Sequence, residues 1–296
     1  MPSKEHDSLA DFLSAQPVAT AMLSISEQRQ NYEKLLKLNP IPEDVEIVGS
    51  KIGICNVDWV SVSNDPKRVL LYLHGGGYVI GSNIGYREFA GRLARSLDAR
   101  VCLLDYRLAP ENPFPAALED SIACYNSLLG QGWSAENIIV AGDSAGGGLA
   151  LASLLALRDI NAELPAGVIC LSPWVDLLGT GESSKPGVVE DDPLLDDSVV
   201  AFMTDQYASS DDLKNPLVSP LFGDYSGFPP VQIFVGTREK LLDDSRRLAI
   251  KLQSYGVTTD YFEEPGLIHV WPVIIPSAPE TADALNKMAD FAESYC

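Results

Sequence analysis

Ile138-Ile139-Val140-Ala141-Gly142-Asp143-Ser144-Ala145-Gly146 runs straight on into Gly147-Gly148-Leu149-Ala150-Leu151-Ala152-Ser153-Leu154-Leu155. The apolar, β-branched start predicts a buried strand, Gly-x-Ser-x-Gly predicts a sharp reversal, and the Ala/Leu-rich run predicts a helix. A reversal this tight holds its serine in a strained backbone. Glycines are needed at 142 and 146 because a Cβ there would meet the neighbouring strand or helix. The strain pushes the hydroxyl of Ser144 out of the sheet. The five-residue pattern alone also fits a glycine-rich turn without chemistry, so its meaning depends on the rest of the chain.

A second glycine-rich strand end lies upstream, where Val69-Leu70-Leu71-Tyr72-Leu73 runs into His74-Gly75-Gly76-Gly77-Tyr78. Consecutive glycines leave backbone N–H groups bare and able to converge. Acyl transfer builds an oxyanion in its tetrahedral intermediate, and each preorganised N–H aimed at it contributes roughly 3–4 kcal/mol. Gly76 and Gly77 are the expected donors, completed by the N–H of Ala145 after the serine. A flexible glycine turn is the alternative.

A serine hydroxyl needs an imidazole to take its proton and a carboxylate to orient that imidazole. The chain has three histidines. His6 lies in a polar stretch expected to be mobile, and His74 belongs to the glycine loop. His269 remains, directly after an expected loop (263–268) that follows the strand-like 258–262. For the carboxylate, Val231-Gln232-Ile233-Phe234-Val235-Gly236 reads as a buried strand followed at once by Thr237-Arg238-Glu239-Lys240-Leu241-Leu242-Asp243-Asp244. An acid at the carboxyl end of a sheet strand shares the rim with Ser144. Glu239 is nearest the strand end; Asp243 and Asp244 compete, and each of the three also suits a helix amino terminus.

Strand-like segments recur near 45–49, 55–62, 69–73, 100–104, 138–142, 167–172, 231–236 and 258–262. Helical stretches fall near 86–97, 116–129, 145–158, 241–254 and 280–294. This alternation predicts an α/β fold with a mainly parallel sheet covered on both faces and an antiparallel start. No repeat or linker separates independent units, so one domain over 1–296 is expected.

The blocks resemble the hormone-sensitive lipase family of α/β-hydrolases, bacterial esterases marked by a His-Gly-Gly-Gly loop. They are His74-Gly75-Gly76-Gly77; Asp105-Tyr106-Arg107-Leu108-Ala109-Pro110-Glu111 with Pro113-Phe114-Pro115-Ala116-Ala117 and Glu119-Asp120; Gly142-Asp143-Ser144-Ala145-Gly146-Gly147; and the acid and histidine loops. The resemblance implies an α/β-hydrolase fold with a mainly parallel eight-stranded sheet and a helical cap. Ser144 would be the nucleophile, His269 the base, and Gly76, Gly77 and Ala145 the oxyanion donors. One departure is Glu239-Lys240-Leu241 where the family commonly has an aspartate followed by Pro-Leu. The family's second acid in that motif matches Asp243, so Glu239 and Asp243 both stay open as the orienting acid. The cap would be formed by about 1–39 and about 176–225 over a core of about 40–175 and 226–296. Phe12, Leu13, Met22, Phe202, Met203 and Tyr207 are candidates to line its pocket. The Asp105–Asp120 block reads as scaffold, with Arg107 bracing a proline turn against Asp105 and Glu111.

The implied activity is a serine carboxylesterase on small, short- to medium-chain esters, working without cofactor or metal. The same machinery suits amides, formamides or lactones. A non-catalytic receptor, as in the resembling plant gibberellin receptors that lost the histidine, is opposed by the presence of His269.

Composition bounds the rest. A formal net charge of −20 and no basic patch exclude nucleic acid. Five scattered cysteines, an odd number without a Cys-x-x-Cys pair, read as reduced thiols and give no zinc pattern. The acidic runs Glu190-Asp191-Asp192 and Asp196-Asp197 lack calcium-loop spacing, and Asp196 or Asp197 suits a helix start. No run reaches the roughly 18 apolar residues of a membrane span, and the first residues lack a secretory pattern, so a cytoplasmic location is expected. The strand near 258–262 would lie at a sheet edge, where a second copy could pair to give a homodimer.

Overall fold

A computed structural model describes residues 1–15, 23–189 and 191–296. Met22 and Glu190 lie outside the described residues. An eight-stranded sheet runs in the order β1-β2-β4-β3-β5-β6-β7-β8. The strands are β1 (Glu46–Ile52), β2 (Cys55–Ser61), β3 (Arg68–Leu73), β4 (Ala99–Asp105), β5 (Ile138–Asp143), β6 (Gly167–Leu171), β7 (Val231–Arg238) and β8 (Thr259–Ile268). β2 pairs antiparallel with β1 and with β4, and every later pairing is parallel. All eight expected strands are present. The eighth is longer than expected: Pro265-Gly266 reads as a loop, yet the strand continues to Ile268 past an irregularity opposite Gly236/Arg238. Gly266 makes this feasible with φ +80°, a conformation that an L side chain rarely adopts.

The helices are α1 (Lys4–Ser14), α2 (Ile25–Leu36), α3 (Asn83–Ser96), α4 (Ala116–Gly130), α5 (Ala145–Asp159), α6 (Asp197–Tyr207), α7 (Leu242–Ser254), α8 (Trp271–Ile274) and α9 (Pro279–Tyr295). Ser24 and Glu27 close a capping box at α2, and Asp196 caps α6 by accepting from Val199 N at 2.8 Å. The expected start of a helix at Asp196 or Asp197 is therefore explained by the cap. No helix among the described residues is long and apolar enough to cross a membrane.

Every residue of β3, β5 and β6 is buried, as strands covered on both faces require. The period-2 alternation of their side chains divides the core. Leu71, Leu73, Val140 and Val168 pack with Leu128, Leu149 and Leu248 of α4, α5 and α7. Leu70, Tyr72, Ile139 and Ile169 face the other way, onto Phe89, Leu93, Met288 and Phe291 of α3 and α9. β3 has β4 on one side and β5 on the other, so the carboxyl ends of β3 and β5 open the crevice where ligands bind in such sheets.

Candidate active site

Ser144 follows β5 with φ 52° and ψ −122°, a strained backbone for a non-glycine residue. Its neighbours enforce this. A Cβ on Gly142 would stand 2.7 Å from the Leu73 carbonyl oxygen, and one on Gly146 2.6 Å from that of His74. Ser144 N donates to Leu171 O at 2.8 Å, while Ser144 O accepts from Trp174 N at 2.9 Å. The reversal is thereby pinned to the end of β6.

The glycine loop after β3 is locked to this turn by Asp143. Its carboxylate accepts from Gly75 N at 2.9 Å and from the hydroxyls of Tyr72 and Tyr86, each at 2.8 Å. Burial raises the Asp143 carboxyl to about 6, against the opposing pull of these three donors. His74 stacks on Tyr106 at 4.2 Å and is itself buried, which lowers its pKa. Gly76 and Gly77 adopt φ 113° and 60°. A Cβ on Gly77 would stand 2.7 Å from the Met203 sulfur. The N–H groups of Gly76, Gly77 and Ala145 have no protein acceptor among the described residues.

His269 and Glu239 follow β8 and β7. His269 Nδ1 lies 2.7 Å from Glu239 Oε2. The other carboxylate oxygen accepts from Gly236 N at 2.6 Å and Ser172 Oγ at 2.9 Å. Three donors on one fully buried carboxylate fix the glutamate, despite its extra methylene. Asp243 and Asp244 serve elsewhere. Asp243 Oδ2 accepts from Ser183 N and Asp244 Oδ2 from Val175 N and Asp176 N, all at 2.9 Å. Burial alone would lower the His269 pKa. The hydrogen bond and charge of Glu239, with the charges of Asp192 and Asp143, outweigh it and raise the value.

Ser144, His269, Gly76 and Gly77 line one cavity of about 680 Å³. Ser144 and His269 form no hydrogen bond to each other. Phe12 and Leu13 of α1, Leu35 of α2 and Met203 of α6 also line it. Phe202 and Tyr207, two other candidates, do not: Tyr207 stacks on Tyr78 at 3.7 Å. Arg107 braces α4 rather than the proline turn, binding Asp120 at 2.9 Å and Glu119 at 3.0 Å. Glu111 pairs instead with Arg29 of α2, whose guanidinium also donates to Val79 O and Ala109 O.

Several residues escape sequence reading. Ser172, at the carboxyl end of β6, donates to Glu239 and accepts from Val270 N at 3.2 Å. A polar residue at a strand's end was its only signal. Asp192 accepts from Lys240 N at 2.9 Å and from Leu194 N and Leu195 N, joining the acid loop to the cavity wall. His6 is fully buried rather than mobile, and its Nε2 accepts from Ile268 N at 3.1 Å.

A serine on a strained strand-to-helix turn of such a sheet, beside a buried histidine–carboxylate pair, defines an α/β-hydrolase. Residues 70–273, more than half of the chain, match the alpha/beta hydrolase fold family. An acetyl-hydrolase of Streptomyces hygroscopicus is 41% identical over 240 residues, 81% of this chain and 80% of that protein. An esterase of Acinetobacter venetianus is 32% identical over 266 residues, covering 88% and 86%. The crystal structure of EstE5 soaked with p-nitrophenyl butyrate superposes with a TM-score of 0.92 at 37% identity, covering 99% of this chain and 98% of that one. An esterase from the bacterial hormone-sensitive lipase family gives 0.93 at 37%, covering 100% and 99%. The chain belongs to this family, the hormone-sensitive lipase esterases of the α/β-hydrolase fold.

Proposed function

We propose that the protein is a serine carboxylesterase that cleaves short- to medium-chain esters through an acyl-enzyme. The observation that carries this reading is the 2.7 Å bond between His269 Nδ1 and Glu239 Oε2 at the wall of the cavity that also holds Ser144. Glu239 keeps the imidazole proton on Nδ1, so Nε2 can accept the serine proton as Oγ bonds to the ester carbonyl carbon. The carbonyl oxygen takes up the electron pair and is met by the N–H groups of Gly76, Gly77 and Ala145. Collapse of the tetrahedral species breaks the bond to the alcohol, which leaves with the proton from Nε2. Water then repeats the sequence on the acyl carbon, and the acid departs from a restored Ser144. No step calls for a cofactor or metal.

We read α1, α2 and α6 with their loops, about 1–39 and 176–225, as the cap, and the remainder as the core of one domain. The cavity supports this, because Phe12, Leu13 and Leu35 line it together with Met203, Val199 and Leu195. Its volume suits a small-molecule ligand, and its apolar walls suit an acyl chain. The odd cysteine count supports a reducing, cytoplasmic setting, tested by cell fractionation. The edge strand β8 supports a homodimer joined along residues 259–264, tested by elution volume at micromolar concentration.

The deciding experiment measures hydrolysis of p-nitrophenyl acetate, butyrate, octanoate and palmitate by the wild type and Ser144→Ala. Strong short-chain activity that Ser144→Ala abolishes is expected. Activity rising toward palmitate would overturn the chain-length reading. A folded wild type inert toward every ester would redirect the search to amides, formamides and lactones.

A further inference from the structure

We infer that His6 is a positioning residue for catalysis: from α1 it holds the N–H of Ile268, the residue before His269, and so fixes the angle of that imidazole. The inference rests on the reading of His269 as general base. Ile268 N–H can only donate, so His6 Nε2, 3.1 Å away, must present its lone pair. The ring proton then sits on Nδ1, where the Asp7 carboxylate accepts it at 3.1 Å. Two partners therefore select one tautomer of a fully buried ring.

The location of this bond gives it a consequence. Ile268 ends β8, the edge strand, and among the described residues has no further strand on its open side. His6 takes the place that the carbonyl of a ninth strand would fill. On the far side of His269, Val270 N donates to Ser172 Oγ at 3.2 Å. The backbone is thus tethered by a side chain on each side of the histidine. Val270 itself has φ 50° and ψ 35°, a left-handed conformation that is an outlier for a β-branched residue and persists only where its surroundings hold it. With the Ile268 tether cut, that strain can relax by rotating the peptides around His269.

The start of α1 is anchored well enough to serve. Ser3 donates through N and Oγ to the Glu280 carboxylate of α9, at 2.6 and 2.7 Å. Pro2 packs against Gly266, where an added Cβ would stand 2.8 Å from its Cγ. Farther along the helix, Phe12 and Leu13 line the cavity. One helix therefore performs two separable tasks, an anchor at His6 and a wall at Phe12 and Leu13.

The test compares kcat and KM of the wild type, His6→Gln, His6→Asn and His6→Leu on p-nitrophenyl acetate and octanoate, with melting temperatures for each. Glutamine can set an amide oxygen near the position of Nε2, whereas asparagine reaches only as far as Nδ1. His6→Leu and His6→Asn are expected to lower kcat on the acetate by roughly 10- to 10²-fold, the scale of loss from about 1 Å of misplacement, with KM little changed. His6→Gln is expected to recover most of that loss. If His6→Leu does not fold, the glutamine–asparagine pair carries the comparison. Equal activity of those two, or a loss confined to KM on the octanoate, would overturn the inference. A second readout needs no substrate: the downfield NMR proton on His269 Nδ1 should move in His6→Asn and return in His6→Gln. An unmoved line in both overturns the anchor even if the wild type cleaves no ester, so the two readings fail separately.

Discussion

Glu239→Gln changes one atom and is expected to remove most of the activity, because the surroundings dictate how the amide must lie. Gly236 N at 2.6 Å and Ser172 Oγ at 2.9 Å both donate to Oε1. Gly236 N–H can only donate, so the Oε1 position requires an acceptor. The amide oxygen must therefore occupy the Oε1 position and the NH2 group must face His269 Nδ1. Two donors cannot meet, so the imidazole moves its proton to Nε2, the atom that accepts from Ser144 in the proposed mechanism. In serine proteases, the corresponding tautomer error lowers kcat by about 10⁴. A loss of roughly 10³–10⁴ is expected here, or about 4–5.4 kcal/mol of transition-state stabilisation. The assay is kcat on p-nitrophenyl butyrate for E239Q beside D243N and D244N, with circular dichroism to verify folding. D243N and D244N should retain most of the wild-type rate. E239Q above about a tenth of that rate, or D243N falling as far as E239Q, would refute the reasoning.

Three further outcomes follow from the charges. The proposed base must be neutral, and the Glu239 bond and nearby anionic charge overcome burial to raise the His269 pKa. The acid limb of kcat/KM should therefore lie above the ordinary imidazole value of about 6.5 and move to lower pH in Asp192→Asn, which loses one raising charge; an unmoved limb would count against this. Arg107→Ala should cost about 3 kcal/mol, roughly 6 °C in Tm, because it strips the guanidinium from the buried Asp120; an unchanged Tm with altered substrate choice would make the block a substrate contact instead of a scaffold. Asp244 is raised by burial from 3.8 to about 8. Between those values the unfolded chain has lost the proton that the folded chain keeps, so wild-type stability falls as pH rises through that window. Asp244→Asn should flatten the slope, as read by urea titrations at pH 5 and pH 8.

The parts of the molecule governed by local pattern were legible in the sequence. Eight apolar runs give eight strands, and the glycines around Ser144 reveal the elbow because close approach of backbone admits nothing larger. Scarcity isolates His269, and nearness to a strand end favours Glu239 over its neighbours. The remainder lies in contacts with no local signature. His6 meets Ile268 across 262 residues, and Ser172 meets Glu239 across 67. A polar opening segment suggests mobility until its partner is known. Glu111 sits beside Arg107 in sequence but pairs with Arg29 of α2, a contact set by helix placement. The short helix α8 was hidden by Trp271-Pro272-Val273-Ile274, which shows neither strand nor helix periodicity.

β8 has a consequence for endurance. Residues 259–264 of this outermost strand are only half-buried, in contrast to the enclosed β3, β5 and β6, yet the strand carries the proposed base. Margins of a sheet fray at lower free-energy cost than its interior opens. Heat should therefore silence the enzyme by peeling away one border while most of the molecule stays intact, with residual activity lost at a lower temperature than the circular-dichroism melt. Shelf life would then be improved by fastening that border to β7, and refilling the core would do little for it.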